Sequence, residues 1–286
     1  MKKKLLLLIP LVLLFSGCTF KEDFSDKYIY TTMYPIEYAT TMLYSDYGNV
    51  NSVYPNGAKS DFKISDKKKK TYSESEIFIY SGIANEATIA RDMINNNTNL
   101  RIIDATKGMK TTDNIASIWL DPSNYLMLCS NIKSSLKDFN DNVYVKEKIE
   151  EKYKQLNEKI SELDVDLYQI GKSGNYNTIL VTNNVFNYLT KYNINVISID
   201  KKNTNIDKAY ADAKKMIKSK KIQYIFYLEG EKLNNTQEKL INDTGLIKIE
   251  INDIFSLTDE ERDNSKNYIT IMKEIIENYK KELYKK

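Results

Sequence analysis

Two cysteines and no histidine limit the chemistry open to this chain of 286 residues. Without imidazole there is no Ser-His-Asp triad, no Cys-His pair and no histidine-held zinc. A nucleophile elbow, a P-loop, a glycine-rich dinucleotide turn and an HExxH pair are likewise missing from the sequence, so an enzyme is not expected. Gly171-Lys172-Ser173-Gly174 has the composition of a phosphate loop, but it follows a helical pattern rather than a strand and lacks the upstream glycine. The cysteine with a chemical context is Cys18. It follows Met1-Lys2-Lys3-Lys4, an apolar run from Leu5 to Phe15, and Ser16-Gly17. A run this short falls well below the roughly 20 residues that cross a bilayer core, so residues 1–17 read as a cleaved signal segment. Small residues directly before a cysteine resemble a lipobox, with Phe15 where leucine is usual. On this reading Cys18 is acylated and becomes the first residue of an anchored protein outside the cytoplasmic membrane. Ordinary cleavage to a free secreted protein is the alternative, but no small-x-small site lies nearby. Cys129 is then left alone, without a partner for an internal disulfide, and reads as a buried apolar residue.

Loss of residues 1–17 removes three lysines and no acids, which takes the 42 basic and 39 acidic side chains to an even balance. A neutral chain lacks the basic excess that nucleic acid or another polyanion selects, so no nucleic-acid partner is expected. The four lysines Lys67 to Lys70 read as a solvated helix face, with contact to a membrane surface or a partner as the other possibility.

These residues must be placed by an alternation of β-rich apolar runs and helical stretches. That alternation implies an α/β fold of two lobes, each a mainly parallel sheet flanked by helices. After a tether over residues 18–27, strands are expected at Tyr28–Tyr34, Val50–Tyr54, Glu76–Tyr80 and Leu100–Ile103 in an N-terminal lobe (28–142), with a helix at Ile36–Tyr44. In a C-terminal lobe (171–286) they are expected at Thr178–Thr182, Val196–Ile199, Tyr224–Leu228 and Leu246–Ile251. Between the lobes, Val145, Ile149, Tyr153, Leu156, Ile160, Leu163, Leu167 and Ile170 recur at steps of three and four. They make one apolar stripe on a single helix over 143–170, roughly 40 Å long at 1.5 Å per residue. Gly171 is expected to end it. A coiled-coil dimer competes as a reading of the stripe, but an aromatic in the seam and barely four heptads favour packing along both lobes of a monomer. A last helix is expected to start at the capping box Thr258-x-x-Glu261 and to run to the C-terminus, with Ile269, Met272, Ile275, Ile276 and Tyr279 inward.

Six blocks in order carry a wider likeness: "TTMYPIEYAT", "VYPNGAKSDF", "SEIFIYSG", "IWLDPSN", "LVTNNVFNYL" and "LTDEERDNSKNYITIMKEIIENYKKEL". Together they resemble the zinc and manganese substrate-binding lipoproteins of ABC importers, over nearly the whole chain beyond Cys18. The resemblance implies two lobes on a long backbone helix, a ligand held in the cleft between them, and an ABC permease with its ATPase as partners. It also implies that the residues holding the ligand have changed. Where the family places metal-binding histidine or carboxylate on four loops, this chain has Ser60 (followed by Asp61), Ser117, Asn183 and Asn252 (followed by Asp253).

Neutral hydroxyls and amides do not compete with water for Zn²⁺ or Mn²⁺ as imidazole and carboxylate do. Two readings follow. In the one we favour, Ser60, Ser117, Asn183 and Asn252 offer hydrogen bonds to a larger or more polar solute, or to a metal already wrapped in a chelator. In the other, Asp61, Asp253 and Glu229 gather a hard divalent cation such as Ca²⁺ or Mn²⁺ through oxygen. No cofactor is otherwise implied. Glu229 also reads simply as the end of a strand and Asp121 as a helix cap. Tyr34 and Tyr54 stand at strand ends, where they line a cleft or fill the core. A surface adhesin on the same scaffold is the reading from another functional class.

Overall fold

Short runs of β-branched and aromatic residues make the strands, and their burial on both faces dictates how they are covered. In Ile77-Phe78-Ile79 and in Thr178–Val181 every side chain is buried, the mark of a parallel sheet with helices on each face. The computed structural model describes residues 27–83, 86–110 and 114–286. Strands β1 (Tyr28–Thr31), β2 (Asn49–Ser52), β3 (Ile77–Tyr80) and β4 (Arg101–Asp104) form one parallel sheet in the order β2-β1-β3-β4. Strands β5 (Thr178–Val181), β6 (Asn195–Ser198), β7 (Tyr224–Leu228) and β8 (Ile247–Ile251) form a second, in the order β6-β5-β7-β8. Register follows the pattern, with Tyr28 opposite Asn49 in the first sheet and Thr178 opposite Asn195 in the second. All eight expected strands are present. The first stops at Thr31 because the helix begins early: α1 (Tyr34–Tyr44) carries Pro35 in its first turn, where a missing N–H costs nothing.

The remaining helices are α2 (Asp66–Tyr72), α3 (Glu86–Asn96), α4 (Ser117–Leu120), α5 (Pro122–Asp138), α6 (Val143–Ser173), α7 (Ile206–Lys218), α8 (Asn235–Thr244), α9 (Asp259–Asp263) and α10 (Tyr268–Leu283). A 3₁₀ segment, Asn184–Tyr192, follows β5. Helix α6 is the backbone of the molecule. Its stripe faces inward as expected, with seven of its eight positions buried and Tyr153 half-buried beneath the Lys133 ammonium, 4.4 Å from the ring centre. It packs on α1 and α5 of the N-terminal lobe and on α10 and the 3₁₀ segment of the other. A single apolar cluster therefore runs through both lobes, with a smaller one beneath α7 and α8. The stripe is covered by its own chain, which removes the coiled-coil reading.

Two helix ends differ from expectation. Helix α6 does not stop at Gly171 but continues to Ser173, and Gly174 caps it by donating its N–H to the Ile170 carbonyl. Gly171 serves a different purpose: a Cβ there would lie 1.8 Å from the Tyr192 carbonyl oxygen, so only glycine lets the 3₁₀ segment approach. The C-terminal helix is in fact two. The Thr258 capping box opens α9 as read, but Ser265 takes a left-handed turn at φ 57° and a second capping box at Asn267 starts α10. The first of the two, Asp-Glu-Glu-Arg-Asp, buries no residue, and the core-facing side chains begin only with Tyr268 and Ile271 of α10.

The signal segment 1–17, Cys18 and all but the last residue of the tether lie outside the described residues. Among the described residues no helix is long and apolar enough to cross a membrane.

Candidate functional site: the cleft between the lobes

Each sheet reverses its direction of growth once, between β1 and β3 in one lobe and between β5 and β7 in the other. Ligands of open α/β sheets bind outside the carboxyl ends of the strands at such points. In this chain both points look into the gap between the lobes, because the chain after β8 returns across it. Tyr34 N–H donates to the Phe255 carbonyl (2.9 Å), and Trp119 Nε1 donates to the Asp253 carbonyl (2.6 Å). The Tyr268 hydroxyl donates to the Trp119 carbonyl (2.6 Å). Further out, Gly57 N–H donates to the Leu257 carbonyl (2.9 Å) and the Ser256 hydroxyl to that of Ala58 (2.7 Å). Arg262 grips Glu37 with two bonds of 2.8 Å, takes Asn56 with Nε, and lies over the Tyr34 ring. Planar guanidinium pairs of this kind fix orientation as well as proximity.

The N-terminal wall is held by a buried carboxylate that sequence reading did not find. Glu86, at the start of α3, accepts from Ser81 N–H (2.9 Å) and from the Tyr54 hydroxyl (2.9 Å). Burial pushes its carboxyl up to about 7, with the Ser81 N–H and the Tyr54 hydroxyl pulling the other way. Tyr54 in turn packs against Phe62 and Phe255, so Glu86 steadies the aromatic floor beneath the cleft loops. Next to it Asp104 accepts from Gly82 N–H (2.8 Å) and from Thr106 N–H and hydroxyl (2.9 and 2.8 Å). The C-terminal wall repeats the device: Glu231, raised by burial, accepts from the Thr182 hydroxyl (2.9 Å) and Leu228 N–H (3.1 Å).

The residues singled out in the sequence fall into two groups. Glu229, Asn252 and Asp253 come together at the C-terminal wall. Burial pushes the Glu229 carboxyl up, and the nearby charges of Asp253, Glu261 and Glu250 push it further, while Lys59 lowers it. Asp253 is also raised by burial, offset by Phe255 N–H at 2.9 Å and by Lys59. Ser117 is joined to this wall through Trp119, two residues along α4. The others are spread: Asn183 lies just beyond β5 at the head of the 3₁₀ segment, while Ser60 and Asp61 are exposed on the loop between β2 and α2.

Most of these polar groups already have work to do. Asn183 caps the 3₁₀ segment by accepting from Val185 N–H (3.0 Å), and Ser117 donates to the Asn114 carbonyl (2.8 Å). Asn252 accepts from Ile254 N–H (2.7 Å) and donates to Glu261 (3.1 Å). Asp121 does cap α5, accepting from Ser123 N–H at 3.0 Å, and it also pairs with Lys191. Tyr34 and Tyr54 are both buried. Among the described residues no three His, Cys, Asp or Glu side chains are arranged to hold a metal ion. Cys129 is fully buried, and burial drives its thiol far up, which leaves it inert. Helix α2, with Lys67 to Lys70, buries no residue and borders an open groove of about 780 Å³ against α3, away from the cleft.

The sequence model of the family described as "ZnuA: Zinc-uptake complex component A periplasmic" matches residues 29–282. The chain belongs to this family. No curated protein sequence matches it significantly. Among solved structures, the Zn(II)-bound ZnuA-like domain of AdcA from Streptococcus pneumoniae superposes with a TM-score of 0.72 at 22% identity, covering 91% of this chain and 99% of that one. The metal-dependent lipoprotein YcdH from Bacillus subtilis gives 0.73 at 20% identity, covering 90% and 99%. Zn(II)-bound AdcA itself gives 0.71 at 22% identity, covering 91% of this chain and 58% of that longer one. The two parallel sheets on one long helix are the fold of this family, whose members are solute-binding components of metal-binding ABC importers.

Proposed function

We propose that this family member is anchored outside the cytoplasmic membrane through a lipid on Cys18 and delivers to an ABC permease a solute other than a bare transition-metal ion. The observation that carries the reading is the donor set of the cleft. Ser60, Ser117, Asn183 and Asn252 stand where the family resemblance implies metal ligands, and three of them are bound into their own loops by hydrogen bonds. A borderline-soft ion gains little by leaving its water shell for such oxygens and amides. A polar solute or a chelated metal is met instead by the remaining hydrogen-bonding capacity of a rigid, preformed cleft. The lobes share one apolar cluster and several inter-lobe hydrogen bonds, so capture requires only a small closing motion.

The oxygen-ligand alternative keeps a specific observation in its favour: Glu229 N–H donates to the Ile251 carbonyl (2.8 Å), which sets Glu229 beside the loop that carries Asp253. Calorimetry with Zn²⁺, Mn²⁺ and Ca²⁺ on stripped protein separates the two. No submicromolar Zn²⁺ site is expected. Tight Zn²⁺ binding at one site, lost in Asp61→Ala or Asp253→Ala, refutes the reading and restores metal import.

A further inference from the structure

We infer that the side of the molecule opposite α6 docks on an anionic membrane surface, through exposed lysines on two equivalent helices, α2 and α7, and with the tether entering beside α2. The inference deepens the proposed function and rests on its placement of the protein at the membrane through Cys18. The two helices hold matching places. One leads from β2 to β3 across β1, the other from β6 to β7 across β5. Crossovers in this direction lie on one face of a sheet, and the reverse steps β1 to β2 and β5 to β6 lie on the other, where α1 and the 3₁₀ segment meet α6. Packing in the C-terminal lobe follows this division. Leu180, Ala213 and Ile225 form the small cluster under α7, whereas Ile179, Val181 and Phe226 belong to the large one that includes the α6 stripe. Because the stripe is a single face of α6, both lobes sit on one side of it, and α2 and α7 both look away from it.

The lysines of these helices are not spent on neighbours. Lys69 turns inward to Asp66 (2.8 Å) and to Asp92 of α3 (2.5 Å), which occupies both acids. Lys67, Lys68 and Lys70 fall on the other half of the helix, exposed, and none of them makes an ion pair among the described residues. On α7, Lys214, Lys215 and Lys218 are exposed and equally unpaired among the described residues, on the side away from the buried Ala213; Asp207 and Asp212 lie toward the start of the helix, and Lys220 and Lys221 follow its end. The chain beyond residue 17 is neutral as a whole, so attraction to anionic headgroups comes only from such a local excess. The tether enters at the same side. Glu76 N–H, in the turn after α2, donates to the Tyr28 carbonyl (3.0 Å), and the Tyr30 ring lies 4.5 Å from that of Tyr72 at the end of α2. Tyr28, half-exposed, points to the same face as Tyr30, where its ring suits the headgroup layer. Residues 18–27 reach at most about 35 Å, so anchorage at Cys18 keeps α2 at a high effective concentration beside the headgroups. Helix α6 closes the back of the cleft, and this orientation turns the other side toward the membrane in which a permease lies.

The test uses the chain from residue 18 onward with Cys18→Ser, so that no acyl group contributes. Its sedimentation is measured with vesicles of phosphatidylglycerol and phosphatidylcholine in equal parts, or of phosphatidylcholine alone, at low salt. Binding is expected to the anionic vesicles only, with release by salt. At about fivefold for each lysine at the surface, Lys67→Gln/Lys68→Gln/Lys70→Gln and Lys214→Gln/Lys215→Gln/Lys218→Gln should each lower binding about tenfold or more. Lys154→Gln/Lys159→Gln/Lys172→Gln, which removes the same charge from the exposed side of α6, should leave it unchanged. All nine side chains are exposed, so melting temperatures should not move, which excludes misfolding as the cause of a loss. A fluorophore on Thr71→Cys of α2 should be quenched by nitroxide-labelled headgroups and one on Gln155→Cys of α6 should not, with the buried Cys129 left unlabelled. Absence of binding to the anionic vesicles, equal binding to neutral ones, a loss confined to one of the two helices, or an equal loss in the α6 variant refutes the docking face. If wild type takes up no palmitate at Cys18, the anchor on which the inference rests fails instead.

Discussion

Glu86→Gln should stabilise the protein at neutral and alkaline pH and leave it unchanged in acid. The carboxyl sits at the head of α3, buried to 3% exposure, with Ser81 N–H on one oxygen and the Tyr54 hydroxyl on the other. In the folded chain it titrates near 7 rather than at its ordinary 4.5, chiefly because burial disfavours the charge. Below the ordinary value both folded and unfolded chains hold the proton. As pH rises from there the unfolded chain releases it first, so folding stability declines until the folded group also ionises, and above about pH 7 the loss is constant. At about 1.4 kcal/mol per pH unit, the interval from 4.5 to about 7 amounts to about 3 kcal/mol. Glutamine keeps the arrangement, its oxygen accepting from Ser81 and its amide donating to the Tyr54 oxygen, but it never carries the charge. Urea unfolding of both proteins from pH 4.5 to 8.5 reads the difference directly, and titrations elsewhere in the molecule cancel in the comparison. The stability gap should open between these limits and level off near about 3 kcal/mol. A gap that does not change with pH refutes the reasoning, because the shifted titration would then be absent.

Gly171→Ala should destabilise the fold. Alanine favours helix by about 1 kcal/mol, but its Cβ would meet the Tyr192 carbonyl at 1.8 Å, and overpacking of that kind costs about 1–3 kcal/mol or more; an unchanged or higher melting temperature would contradict the close approach. Arg262 and Glu37 should show a coupling energy of about 1–2 kcal/mol in a double-mutant cycle read by unfolding, given their paired 2.8 Å bonds; additive single mutants would mean the seam between the lobes is held elsewhere. Cys18→Ala should give an uncleaved or released protein that takes up no labelled palmitate. Normal retention of that variant, together with unlabelled wild type, would exclude the lipid anchor.

The fold was legible because its signals are local and redundant. Tyr28–Thr31, Ile77–Tyr80 and Thr178–Val181 are β-rich runs bounded by polar turns, and α6 carries a stripe too regular for any other conformation. The failures are equally physical. Gly171 reads as a helix terminator from its neighbours along the chain, yet its role is set by the Tyr192 carbonyl, which no local pattern reveals. The break between α9 and α10 was hidden because its left-handed residue is Ser265, not glycine.

The site was legible only as a set of loops. The resemblance offered Ser60, Ser117, Asn183 and Asn252 as cleft residues, but it did not tell whether their polar atoms would be free. Asn and Ser are the residues that turn back on their own backbone, as Asn183 and Asn252 do when each accepts the N–H two residues on. The same short side chains that look like hydrogen-bond donors to a solute are therefore the ones that stabilise a loop after a strand.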